Sequence, residues 1–83
     1  MKVRYFAWMK RTVGIAEEEV TPPADVRTVG DLVAWLRTRG GGHAEALAEG
    51  AAFGAAVDKR TATFDAPLAG VREVAFFPPF TGG

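Results

Sequence analysis

The sequence predicts an α+β domain in which one mixed sheet of about five strands packs against one main helix, with a short second helix beside it. Three stretches carry that expectation: alternating residues from Val3 to Met9, a capped apolar stripe from Thr28 to Leu36, and a closing strand from Arg72 to Phe77. At 83 residues the chain has room for one domain and must commit nearly all its apolar residues to a core, which leaves little for a deep enzyme pocket of its own.

Val3, Tyr5, Ala7 and Met9 alternate with Arg4, Phe6 and Trp8, the period of a strand, so residues 2–9 are expected to open the sheet. One face of that strand goes to the core. The other shows Phe6 and Trp8, more aromatic surface than solubility favours, and a partner is expected to cover it. Gly14 marks a turn after Lys10, Arg11 and Thr12, and Ala16 to Val20 returns as the second strand of a hairpin. Its Glu17, Glu18 and Glu19 read as a solvated edge that discourages edge-to-edge pairing.

Pro22 and Pro23 end that strand, and Thr28-Val29-Gly30-Asp31 has the form of a helix start, with Thr28 as the cap and Asp31 in the first turn. Val29, Leu32, Val33 and Leu36 follow at helical spacing and make one apolar stripe, with Trp35 at its margin. Gly40, Gly41 and Gly42 stop the helix, and His43 to Glu49 forms the short second one, with His43 on the surface. Ala52 to Val57, a polar turn at Asp58-Lys59-Arg60, and Thr61 to Phe64 make a second hairpin. In the last strand Val74 and Phe76 share one face, Ala75 and Phe77 the other.

Ten basic residues balance ten acidic ones without a basic stripe, so nucleic acid is not an expected partner. No long apolar run follows Lys2 and Arg4, so neither a leader nor a membrane span is expected, and the cytoplasm is the default compartment. The absence of cysteine removes disulfides, thiolate nucleophiles and the usual zinc ligands, and the single His43 makes no metal site. If the chain handles sulfur, it does so without a thiol.

The end of the chain is where the chemistry points. Pro78 and Pro79 cannot donate to a sheet ladder, so the strand carrying Phe76 and Phe77 should stop there and the chain should leave extended. Residues 1–77 then form the domain and residues 78–83 an extended reactive tail. Phe80 and Thr81 form its middle, and Gly82 and Gly83 make its tip thin enough to enter a narrow site. Fully extended, the tail reaches at most about 20 Å, so its carboxylate suits an active site that belongs to another protein.

The run Glu73-Val74-Ala75-Phe76-Phe77-Pro78-Pro79, followed after Phe80 by Thr81-Gly82-Gly83, resembles the ending of the small subunit of molybdopterin synthase, a ubiquitin-like sulfur carrier. The resemblance extends over nearly the whole chain. It implies a β-grasp fold with the first and last strands parallel at the sheet centre, which would place Phe6, Trp8, Ala75 and Phe77 together on the face away from the helix. It also implies that an adenylating enzyme of the ubiquitin-activating type spends ATP to activate Gly83, that a sulfur donor protein converts it to a thiocarboxylate, and that no cofactor is bound by the chain itself. The tail would then enter the large synthase subunit, in a heterotetramer of two small and two large subunits, and give its sulfur to cyclic pyranopterin monophosphate. Thiamine synthesis, tRNA thiolation and protein modification are alternative uses of the same tail. Asp58 stands where that family often has asparagine, and Phe80 where it often has a smaller aliphatic residue.

Overall fold

Strands β1 (Lys2–Tyr5), β2 (Glu17–Glu19), β3 (Gly54–Val57), β4 (Arg60–Ala62) and β5 (Glu73–Phe77) form one sheet in the order β2-β1-β5-β3-β4 in the computed structural model, which describes residues 1–79. β1 and β5 run parallel at the centre, with Val3 opposite Val74 and Tyr5 opposite Phe76. Those four side chains point to the helix side and are at most 1% exposed. The other pairings, β1 with β2, β3 with β5 and β3 with β4, are antiparallel. The expected mixed sheet with parallel central strands is therefore present.

The first strand is shorter than the alternation predicts. It ends at Tyr5, Ala7 takes φ 55° and ψ −132°, and helix α1 (Trp8–Val13) begins at once. Met9 and Val13 satisfy helical spacing as well as strand alternation does, and burial decides between the two readings. Met9 becomes fully buried and Trp8 packs against the core margin. Gly14, with φ 98°, caps this helix through its N–H to the Lys10 carbonyl, so β1 and β2 pair as expected but are joined by a helix instead of a tight turn.

Helix α2 (Val29–Arg37) starts as its sequence signature says. The Asp31 N–H donates to Thr28 Oγ1 at 3.1 Å and the Thr28 N–H donates to Asp31 Oδ2 at 3.2 Å, a reciprocal cap. Val29, Leu32, Val33 and Leu36 are buried, each fully buried aliphatic side chain contributing about 1.5–3 kcal/mol of transfer free energy. Trp35 lies half-buried at the margin.

Helix α3 (Gly41–Ala46) begins two residues earlier than the sequence suggests and ends at Ala46, before Gly50. The reason lies in Gly42, where a Cβ would collide with the Thr12 carbonyl oxygen and sit 2.9 Å from the Val13 Cα. The triple glycine therefore does more than stop a helix: it lets α3 approach the backbone of α1. Between β3 and β4, Asp58 and Lys59 both take positive φ, 46° and 72°, the geometry of a two-residue hairpin loop. Asp58 Oδ1 also accepts from the backbone N–H groups of Arg72 and Glu73, both at 3.0 Å, and so ties the hairpin to the start of β5.

Candidate functional site

The face of the sheet turned away from the helices carries small side chains and two aromatics, beside Lys2 and Arg4 and the carboxylates of Glu17, Glu19 and Glu73 that face them. Strand register puts Arg4 opposite Ala75, Ala75 opposite Ala56, Ala56 opposite Thr61, and Gly54 opposite Phe77. The Phe6 N–H donates to the Phe76 carbonyl at 3.1 Å, which carries the β1–β5 pairing one step past the strand and leaves the Phe6 side chain 40% exposed. The Arg4 guanidinium stands 5.1 Å from the centroid of the Phe6 ring and 3.9 Å from the Glu73 carboxylate. Phe6, Ala7, Phe77, Pro78 and Pro79 line an open apolar groove of about 490 Å³.

The groove sits where β5 ends. β5 ends at Phe77, and Pro78 and Pro79 continue without strand pairing, as residues lacking an N–H and with a fixed φ must. Phe80, Thr81, Gly82 and Gly83 lie outside the described residues. Of the aromatics expected on this face, Phe6 and Phe77 are there, while Trp8 is not among the residues lining the groove. The chain turns at Ala7, so Trp8 rides on α1 toward the core margin. Ala75 belongs to the same face but is only 7% exposed, covered by its neighbours.

Ala7 is the residue at this site that periodicity misread. A non-glycine residue at such a positive φ costs about 1–3 kcal/mol, and the strain falls where the chain must leave the sheet, start a helix and add a methyl group to the groove. Replacement of Ala7 by glycine is expected to raise stability by about 1 kcal/mol, strain relief exceeding the added freedom of the unfolded chain. Urea unfolding of wild type and Ala7→Gly at matched concentration checks the sign.

A second constellation lies on the helix side of the sheet. Glu18 is opposite Val3 in the β1–β2 register, and so points inward between Glu17 and Glu19. Its Oε2 accepts from the Tyr5 hydroxyl at 2.8 Å and lies 2.6 Å from His43 Nε2, while Oε1 accepts from Arg39 Nη1 at 2.6 Å. The side chains of Glu18 and His43 are only 11% and 14% exposed. The expectation of a solvated acidic edge fails at Glu18, and that of a surface His43 fails with it. The missed signal was the alternation itself: the middle of three consecutive acids on a strand lies on the face opposite its two neighbours, and the buried Val20, two residues on, shares that face.

Partial burial pushes the Glu18 carboxyl up, but hydrogen bonds from His43, Tyr5 and Arg39 outweigh it and hold the group below its ordinary value of 4.5. Burial, then the bond to Glu18, pushes the Tyr5 hydroxyl far up, so it stays a neutral donor. A carboxyl with a depressed folded value adds stability above the unfolded value and loses it as pH falls through the folded one. Glu18→Gln should therefore destabilise the domain by about 1–3 kcal/mol at neutral pH, and the gap from wild type should close below pH 4.5. Denaturant midpoints at a series of pH values report it.

This cluster ties α3 and the segment just after α2 to β2, and none of its side chains is among the residues lining the groove. Among the described residues there is no group of three or more His, Cys, Asp or Glu side chains that could hold a metal, and no helix long and apolar enough to cross a membrane.

Comparison with known proteins converges on one family. The profile described as the ThiS family matches residues 3–83. The chain is 41% identical over 83 residues to the molybdopterin synthase sulfur carrier subunit of Escherichia coli (strain K12), covering 100% of this chain and 99% of that protein. Among solved structures it is similar to a protein described as molybdopterin converting factor, subunit 1, from Pyrococcus furiosus, with a TM-score of 0.71 and 29% identity over 95% of each chain. It shares its fold with SAMP1 from Haloferax volcanii, with a TM-score of 0.73 and 24% identity over 100% of this chain and 98% of that one.

Proposed function

This chain belongs to the ThiS family, and from that premise we propose that it is the sulfur carrier subunit of a molybdopterin synthase, with the Gly83 carboxylate as its reacting group. Two supports meet here: the full-length similarity to a protein of that name and the ending Phe76-Phe77-Pro78-Pro79-Phe80-Thr81-Gly82-Gly83. The structural observation that carries the reading is the apolar groove at the root of the tail, formed by Phe6, Ala7, Phe77, Pro78 and Pro79. A protein seated on it would receive the tail directly.

A carboxylate is a poor electrophile, so sulfur cannot enter until an oxygen has become a leaving group. The Gly83 carboxylate attacks the α-phosphate of ATP on an adenylating enzyme of the ubiquitin-activating type; an acyl-adenylate forms and pyrophosphate leaves. A sulfide-equivalent nucleophile from a donor protein then attacks the acyl carbon and AMP leaves, giving a thiocarboxylate. Its sulfur is a softer and stronger nucleophile than the carboxylate oxygen. It attacks a carbon of cyclic pyranopterin monophosphate inside the large subunit and displaces an oxygen substituent from that carbon. Water then cleaves the acyl–sulfur bond, which leaves the sulfur on the pterin and restores the Gly83 carboxylate. This chain's own part is to present the tip. Gly82 and Gly83, without side chains, keep it slim, and the prolines aim it and lower the freedom it loses on threading. The working assembly is a heterotetramer of two such chains and two large subunits.

Intact mass after incubation with the adenylating enzyme, ATP and a sulfide source tests the loading step. The expected product is heavier by the difference between a sulfur and an oxygen atom, and an unchanged mass would remove the proposal.

A further inference from the structure

We propose that Gly54 is a positioning residue for partner docking, its bare Cα being the seat on which the Phe77 ring lies. The inference deepens the reading of the groove as the surface that meets the large subunit, and rests on it.

Gly54 stands in β3 directly opposite Phe77 of β5. Its backbone is not in the left-handed region, so no turn requires a glycine there. A glycine inside a strand weakens it unless something approaches closely. Here a Cβ would lie 2.7 Å from Phe77 Cε1, 3.0 Å from Cζ and 3.4 Å from Cδ1, so the ring lies across the glycine. That placement makes Phe77 one wall of the groove it shares with Phe6, Ala7, Pro78 and Pro79.

The contrast with Gly42 is informative. A methyl group at Gly42 meets the backbone of α1, which cannot yield without disrupting the fold, whereas at Gly54 it meets the far end of one side chain. The ring can turn about its side-chain torsions while β3 and β5 stay paired. Gly54→Ala therefore moves the Phe77 ring without changing residue 77. Because central aromatics in an interface carry much of its binding energy, a displaced ring should cost affinity although the aromatic is still present.

The experiment is a double-mutant cycle read by calorimetric titration of the large synthase subunit. Gly54→Ala is expected to weaken binding at least about fivefold in the wild-type background and to have no further effect in a Phe77→Ala background. Its thermal midpoint should stay at or above that of wild type. Wild-type binding by Gly54→Ala beside a tenfold loss in Phe77→Ala would overturn the inference. So would a loss from Gly54→Ala that persists without the ring, because Gly54 would then act through something else. Full affinity in Phe77→Ala would instead remove the docking reading itself, and the inference with it. A measurement needing no variant stands beside the cycle: the Gly54 Hα resonances of the wild-type protein should be moved upfield by the ring current of Phe77, and ordinary shifts would show that no seat exists.

Discussion

Deletion of Gly83 is expected to abolish sulfur loading, by at least about a hundredfold, while leaving stability within about 0.5 kcal/mol of wild type. The two halves of that result have separate causes. Stability resides in the cluster formed by Val3, Tyr5, Met9, Leu32, Leu36, Leu47, Val74 and Phe76, all fully or almost fully buried, and Phe76 is its last member among the described residues. The deletion removes none of it. Loading depends on where the terminal carboxylate sits, and a shorter tail draws that group back by about 3.3–3.6 Å. A misplacement of about 1 Å can cost a hundredfold in rate. Intact mass after the loading reaction, together with urea unfolding, measures both halves on one sample.

Replacement of Phe77 by serine is expected to weaken the complex with the large subunit at least tenfold, the consequence of losing about 2 kcal/mol or more from a central aromatic contact. Its neighbour shows why the choice of residue matters. Phe76 faces the helices, stacks 6.2 Å from the Tyr5 ring and meets Phe53 edge-on at 5.9 Å, and is fully buried. Phe77 points the other way and lines the groove. Change at Phe77 should therefore appear in the affinity and little in the unfolding midpoint. Phe6→Ser should behave alike, and Trp8→Ser should not, since Trp8 packs toward the core margin. Unaltered affinity in both the Phe6 and the Phe77 variants would show that the partner sits elsewhere.

The fold was legible wherever two local signals agreed. Thr28 and Asp31 marked a cap while Val29, Leu32, Val33 and Leu36 marked a stripe, and α2 runs between those signals. Val74 and Phe76 on one side with Ala75 and Phe77 on the other set the face of β5 correctly, and with it the Phe77 wall of the groove. The misreadings fall where one residue type fits two periods or where a contact comes from far along the chain. Ala7 and Met9 continue the alternation of β1, yet Met9 gains more by entering the core from a helix, and the strained Ala7 makes the turn possible. Trp8 is absent from the groove because the chain turns at Ala7 and Trp8 opens α1. Glu18 and His43 are 25 positions apart, so nothing near either residue announced their 2.6 Å contact. Gly54 looked like one more small residue among alanines, because its meaning depends on a ring that arrives from β5.

The most direct test of the sulfur-carrier reading begins with the chain already in its thiocarboxylate form, so that neither adenylation nor the sulfur donor can limit the outcome. This form is mixed with the large synthase subunit and cyclic pyranopterin monophosphate, and dithiolene product is followed alongside the intact mass of the carrier. The expected result is formation of the dithiolene, with the carrier returning to its carboxylate mass in step with product. A carrier that binds the large subunit but keeps its sulfur, with no dithiolene formed, would contradict it.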